Sequence, residues 1–156
     1  MKIKNIISID YNAYYSFAMI IVFLIGFIMF STFLLFNLET EKYGRPNILF
    51  LNILFLLGFL FYVIKFVIRI RLINKILDGN NNYEVTIINS INSPRDQYNI
   101  FFEYKNKIHR VILKVSKRNK AKLNELCSVG NIVKIGYLEN KNNKIIFPDL
   151  YINFEV

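Results

Sequence analysis

Apolar residues are massed in the first 68 positions of this chain and thin out beyond them. No charged residue occurs between Tyr14 and Phe36. A helix of that length crosses the roughly 30 Å hydrocarbon layer, which takes about 20 residues. A second apolar run, Ile48 to Ile64, is shorter. It extends through Lys65, whose aliphatic stem lets the ammonium reach the interface. The first run is longer than a signal-peptide core and no small-x-small site follows it, so an uncleaved helix is expected.

Helical spacing persists past Ile64. Lys65 and Arg69, then Arg71 and Lys75, recur four apart, and Ile68, Leu72 and Ile76 make an apolar stripe. The helix is expected to run to about Asp78 and to stop at "DGNNN", with a hinge from Gly79 to Asn82. From Tyr83 the period changes to two. Tyr83, Val85 and Ile87 alternate with Glu84 and Thr86; Tyr98, Ile100, Phe102 and Tyr104 alternate with Asn99 and Glu103. "KNK" then joins the second strand to a third, in which His109, Val111, Leu113 and Val115 share one face and Arg110, Lys114 and Ser116 the other. A short helix is predicted in "KRNKAKLNEL", followed by strands at Asn131 to Leu138, Lys144 to Phe147 and Leu150 to Phe154. The fold class is therefore α+β: a two-helix transmembrane hairpin with a juxtamembrane helix over 1–78, then a small, mostly antiparallel β-domain with one short helix over 83–156. Six short strands suggest a twisted sheet or partial barrel.

Charge orients the hairpin. Lys2 and Lys4 precede the first helix, Lys42 and Arg45 lie in the short connection, and Lys65, Arg69, Arg71 and Lys75 follow the second. By the positive-inside rule both termini and the β-domain are expected in the cytoplasm. Tyr11, Tyr14, Tyr15, Tyr43 and Tyr62 fall near the expected interfaces, where amphipathic rings are favoured. Within the second run, Asn52 is expected to hydrogen-bond the first helix, with an oligomer axis as the alternative. Gly26 and Gly58 permit close helix contact, although neither belongs to a GxxxG pair.

Few side chains suit catalysis. One His and one Cys cannot make a four-ligand zinc site. His109 and Cys127 offer a base and a nucleophile, but no third group is apparent to orient them and His109 lies on the apolar face of its strand. Nucleotide-binding glycine loops and paired carboxylates are missing, and Asp149 after Pro148 reads as a turn residue. No enzyme, metal or cofactor is expected. Charge remains. From Tyr83 onward twelve Lys or Arg face seven Asp or Glu, a net of +5. Arg110, Lys114, Lys117, Arg118, Lys120 and Lys122 fall within thirteen positions that hold no acid. One reading is a solvated face near anionic head groups. The other is a phosphate site: cations at the start of a short helix oppose its dipole, and a bound anion resolves the conflict. Ser116 as the cap, with Arg110, Lys114, Lys117, Arg118 and Lys120, would form the cradle.

"IFFEYKNKIHRVILKVS" followed by "GNIVKIGYLENKNNKIIFPD" resembles the β-domain of a widespread family of two-helix bacterial membrane proteins of unknown function. The resemblance covers about half the chain. In overall plan the protein is similar to cyclic-oligonucleotide-activated antiviral membrane effectors of CRISPR and cyclic-nucleotide defence systems. That likeness is architectural and carries no binding residue over. It implies an oligomeric effector that senses a phosphate-bearing messenger, such as a cyclic oligonucleotide, and disrupts the bilayer. Duplex nucleic acid is not an expected partner. The alternatives are an immunity protein against a membrane-acting toxin and a non-enzymatic membrane scaffold.

Overall fold

The computed structural model describes residues 3–36, 45–78, 83–117, 119–137 and 145–152. Lys2, Lys42, Tyr43, the expected hinge from Gly79 to Asn82, Arg118 and Lys144 lie outside the described residues. The chain divides into two compact units, one made of residues 15–68 and one of residues 1–14 with 69–156. The layout is α+β, with two long apolar helices, a four-stranded antiparallel sheet and short helices.

The first unit is built from two helices, α2 (Tyr11–Phe36) and α3 (Arg45–Leu77), which begin or end in the other unit. Both are long and apolar enough to cross a membrane. Their large side chains, Ile25, Phe33, Leu57 and Phe61 among them, stay exposed. A core helix of a soluble protein buries such residues, so this exposure points to membrane association. Where the helices meet they interlock. A Cβ at Gly26 would collide with the edge of the Phe55 ring and one at Gly58 with that of Phe23, so each glycine opens a recess for the other helix's phenylalanine. Phe23 also stacks on Tyr62, with centroids 5.5 Å apart. Asn52 donates to Ser31 Oγ at 3.1 Å, and Ser31 Oγ donates back to Asn52 Oδ1 at 3.3 Å. The amide is thus satisfied within the chain, as expected.

In the second unit the strands β1 (Tyr83–Asn92), β2 (Gln97–Tyr104), β3 (Lys107–Lys114) and β4 (Ile132–Gly136) lie in the order β3-β2-β1-β4. Among the described residues this is an open four-stranded sheet. Lys105 and Asn106 both take positive φ, 51° and 57°, as a two-residue turn of type I′ requires. That turn fixes the pairing of Phe102 with His109 and Ile100 with Val111. Ile88, Ile100, Phe102, His109, Val111, Leu113 and Ile135 form the buried face. A shift of register between Ile88 and Ser90 marks a bulge in β1. Before it, Val85 and Ile87 are exposed while Ile88 is buried, so the apolar half of the early alternation points away from the core.

Four helical segments cover the buried face. α1 (Ile3–Ile9) contributes Ile6 and Ile9, and the last turns of α3 contribute Ile70, Leu72, Ile73 and Ile76. α4 (Lys120–Leu126) adds Leu123. The fourth, α5 (Pro148–Ile152), replaces the strand expected at Leu150 to Phe154. Pro148 suits a first helical position, where its missing N–H costs nothing, and Asp149 favours the first turn. Leu150 and Tyr151 are buried in succession, which a strand with one buried face does not allow. Lys144 to Phe147 reduces to a single described bridge, Ile146 with Gly136. α1 was not anticipated by the apolar pattern.

Candidate functional site

β3 directs Arg110 outward and leaves Lys114 half-buried. The Lys114 ammonium lies 3.3 Å from the centroid of Tyr14 in the first turn of α2. Burial lowers the Lys114 pKa, and Asp96 partly opposes this. Ser116 is not the cap of α4; Asn119 occupies that position. The buried Asn119 side chain accepts from Ser116 N at 2.6 Å and donates to Lys114 O at 3.0 Å and Ser8 O at 3.4 Å. Ser116 O in turn accepts from Asn119 N and Lys120 N. The polar backbone groups of this turn are therefore largely occupied internally, and Lys117 and Lys120 project from it into solvent. Arg110 and Lys114 share one face of β3, while Lys117 and Lys120 flank Asn119. What they offer an anion is side-chain charge.

A second cluster was not read from the sequence. Asp10 is fully buried and lies between α1 and α2. Its Oδ1 accepts from Ala13 N at 2.8 Å, capping α2. Arg69 of α3 donates to it in a fork, Nη2 to Oδ2 at 2.6 Å and Nε to each carboxylate oxygen at 3.2 Å. Tyr151 of α5 completes the set, donating its hydroxyl to Oδ2 at 2.7 Å. The backbone of Asp10 also bridges Leu113 of β3. Through its carboxylate Asp10 thus ties together the start of α2, Arg69 of α3 and α5, and through its backbone it joins them to the sheet edge. Burial, then the Asp10 charge, pushes the Tyr151 phenol well above its ordinary pKa, so it remains a donor. The available signal was Asp10 itself, the one charged residue between Lys4 and Glu39, placed as a cap before an apolar helix.

Other polar side chains of this unit are packed or paired within it. His109 is buried and stacks on Phe102, with centroids 5.9 Å apart. Cys127 is buried beside a cleft of about 70 Å³ lined also by Leu126, Phe147 and Leu150. Burial pushes its thiol up to about 12, which keeps it protonated and unreactive near neutrality. At one end of the sheet Tyr137 and Tyr104 both donate to Glu84 Oε1, at 2.6 and 3.2 Å. Among the described residues no group of three or more His, Cys, Asp or Glu is placed to hold a metal ion. No family model, curated protein or solved structure matches the chain.

Proposed function

We propose that this chain is a non-enzymatic membrane effector of the inner-membrane type, whose basic β-unit takes up a phosphate-bearing messenger such as a cyclic oligonucleotide. The observation that carries this reading is the acid-free cationic run from Arg110 to Lys122, from which Arg110, Lys117 and Lys120 project into solvent. Exposed cations on a small rigid unit attract phosphates, and such attraction weakens with salt. The buried Asp10 joint gives a route for the response: Asp10 caps α2 and pairs with α3, so a shift of the sheet edge or of α5 bears on both helices. Two helices per chain cannot enclose a pore, so several copies would act together, most simply in a closed ring.

The test uses the purified full chain in detergent. Titration with a panel of cyclic di- and oligonucleotides should find at least one ligand whose affinity falls as salt rises. Lys117→Glu with Lys120→Glu should weaken it while Cys127 stays protected from thiol reagents. Absence of binding across the panel removes the messenger reading. Reporter fusions after Val156 and near Arg45 check the orientation: the first should report cytoplasm and the second the outside.

A further inference from the structure

We infer that the outer face of the β-sheet docks on an anionic lipid surface. Four β-branched aliphatics stand out on this face where a soluble domain keeps polar residues. Val85 is 67% exposed, Ile87 54%, Ile108 77% and Ile132 72%. Val85, Ile87 and Ile132 adjoin: Ile87 on β1 pairs directly with Ile132 on β4 and Val85 lies two residues back on the same side of β1, while Ile108 stands apart on edge strand β3, opposite Glu103 of β2. Contiguous apolar surface of this kind marks an interaction site.

Charge selects the occupant. Arg110 shares the Ile108 face of β3, and Lys134 shares the Ile132 face of β4, opposite Val85. Lys114 lies farther along the same face of β3; Glu103 is the acid set among them. Aliphatics interspersed with long cations suit a bilayer interface, where the side chains enter the head-group region and the cations meet lipid phosphates. A second copy of the same face would bring three cations against three with one acid on each side, which disfavours it. Tethering supplies the second argument: this unit joins the two apolar helices covalently after Tyr14 and at Arg69, so the chain itself holds it close to the bilayer they are apolar enough to enter. The inference goes beyond the messenger reading, because a soluble phosphate has no use for the exposed aliphatics; Arg110 and Lys114 are the cations the two readings share.

The experiment places a fluorophore on the full chain at Ile132→Cys, with Glu125→Cys on α4 as the control; buried Cys127 stays unlabelled under native conditions. Each protein is reconstituted into vesicles of phosphatidylcholine alone or mixed with phosphatidylglycerol, with brominated lipid as the quencher. In anionic vesicles, position 132 should be quenched roughly twofold or more above position 125, because each lipid-facing cation is worth about fivefold in association. High salt, or Arg110→Glu with Lys134→Glu, should abolish the difference. The salt arm needs no substitution and stands even where the charge reversals disturb folding. Equal quenching at the two positions overturns the inference. So does shielding at position 132 that persists in detergent and grows with protein concentration, because a second copy then covers the face.

Discussion

Asp10→Ala removes an acceptor on which four donors converge, and the loss is expected to be large. Ala13 N loses its cap, a contribution of about 1 kcal/mol. Arg69, only 16% exposed at its side chain, is left without its partner, and breaking a buried ion pair in this way costs about 3–5 kcal/mol. The Tyr151 hydroxyl also becomes an unsatisfied buried donor. Asp10→Asn keeps a capping oxygen but loses the charge, so it should fall between wild type and Asp10→Ala. Cys127 supplies the assay: it is the chain's one cysteine, it is buried, and its reaction with a thiol dye reports opening of the unit during a thermal or denaturant ramp. The decisive comparison is the cycle of Asp10→Ala, Arg69→Met and the double variant. The double variant should be markedly less damaged than the two single losses add up to, because it leaves no buried charge alone. Strict additivity, or a loss in Asp10→Ala no greater than a missing cap, would refute the account of the joint.

Other expectations follow from the same geometry. Gly26→Leu drives a side chain into the Phe55 ring and should separate α2 from α3, read as a loss of disulfide crosslinking between cysteines engineered at Ser31 and Asn52; unchanged crosslinking contradicts the interlock. Asn52→Leu removes an intrachain hydrogen bond and should lower stability by roughly 1 kcal/mol without changing the number of copies in native mass spectrometry; an altered copy number puts that amide between protomers instead. Alkali should destabilise the second unit. The Cys127 thiol rises from 9.0 unfolded to about 12 folded, so its neutral form is favoured by the fold. That stabilisation is complete below pH 9 and is lost between pH 9 and about 12, at up to about 1.4 kcal/mol per pH unit. Tyr151 adds a loss of the same sign above pH 10. Circular-dichroism melts of wild type and Cys127→Ala across that interval should show a shallower pH dependence in the variant; identical slopes argue against a buried thiol.

What could be read in advance was whatever repeats locally. Two uncharged runs, four-residue spacing past Ile64 and alternation along β2 and β3 each encode their own geometry, so the long helices, the end of α3 at Leu77 and the inward His109 were legible. The Asp10 joint was not, because its partners lie 59 and 141 residues away and no local period links them. α5 was misread because a five-residue segment is too short for period to separate helix from strand; Pro148 at its start was the better guide. In β1 the apolar residues misled. Glu84 and Thr86 share a side of β1 with Ile88, and the Glu84 carboxylate accepts from the hydroxyls of Tyr104 at the end of β2 and Tyr137 just past β4. In the basic turn, Asn119 stands at the cap position expected of Ser116, but its amide bonds Ser116 N, Lys114 O and Ser8 O and no N–H of α4, contacts that local sequence does not announce.

The coupling of a messenger on the β-unit to the membrane helices is tested most directly by dye release from sealed proteoliposomes carrying the full chain. With a cyclic oligonucleotide that binds, trapped dye should escape. Escape should diminish as salt rises and be absent for Lys117→Glu with Lys120→Glu, and Asp10→Asn should retain binding while losing release. Vesicles that stay sealed with the ligand bound, or that leak equally without it, would contradict the account.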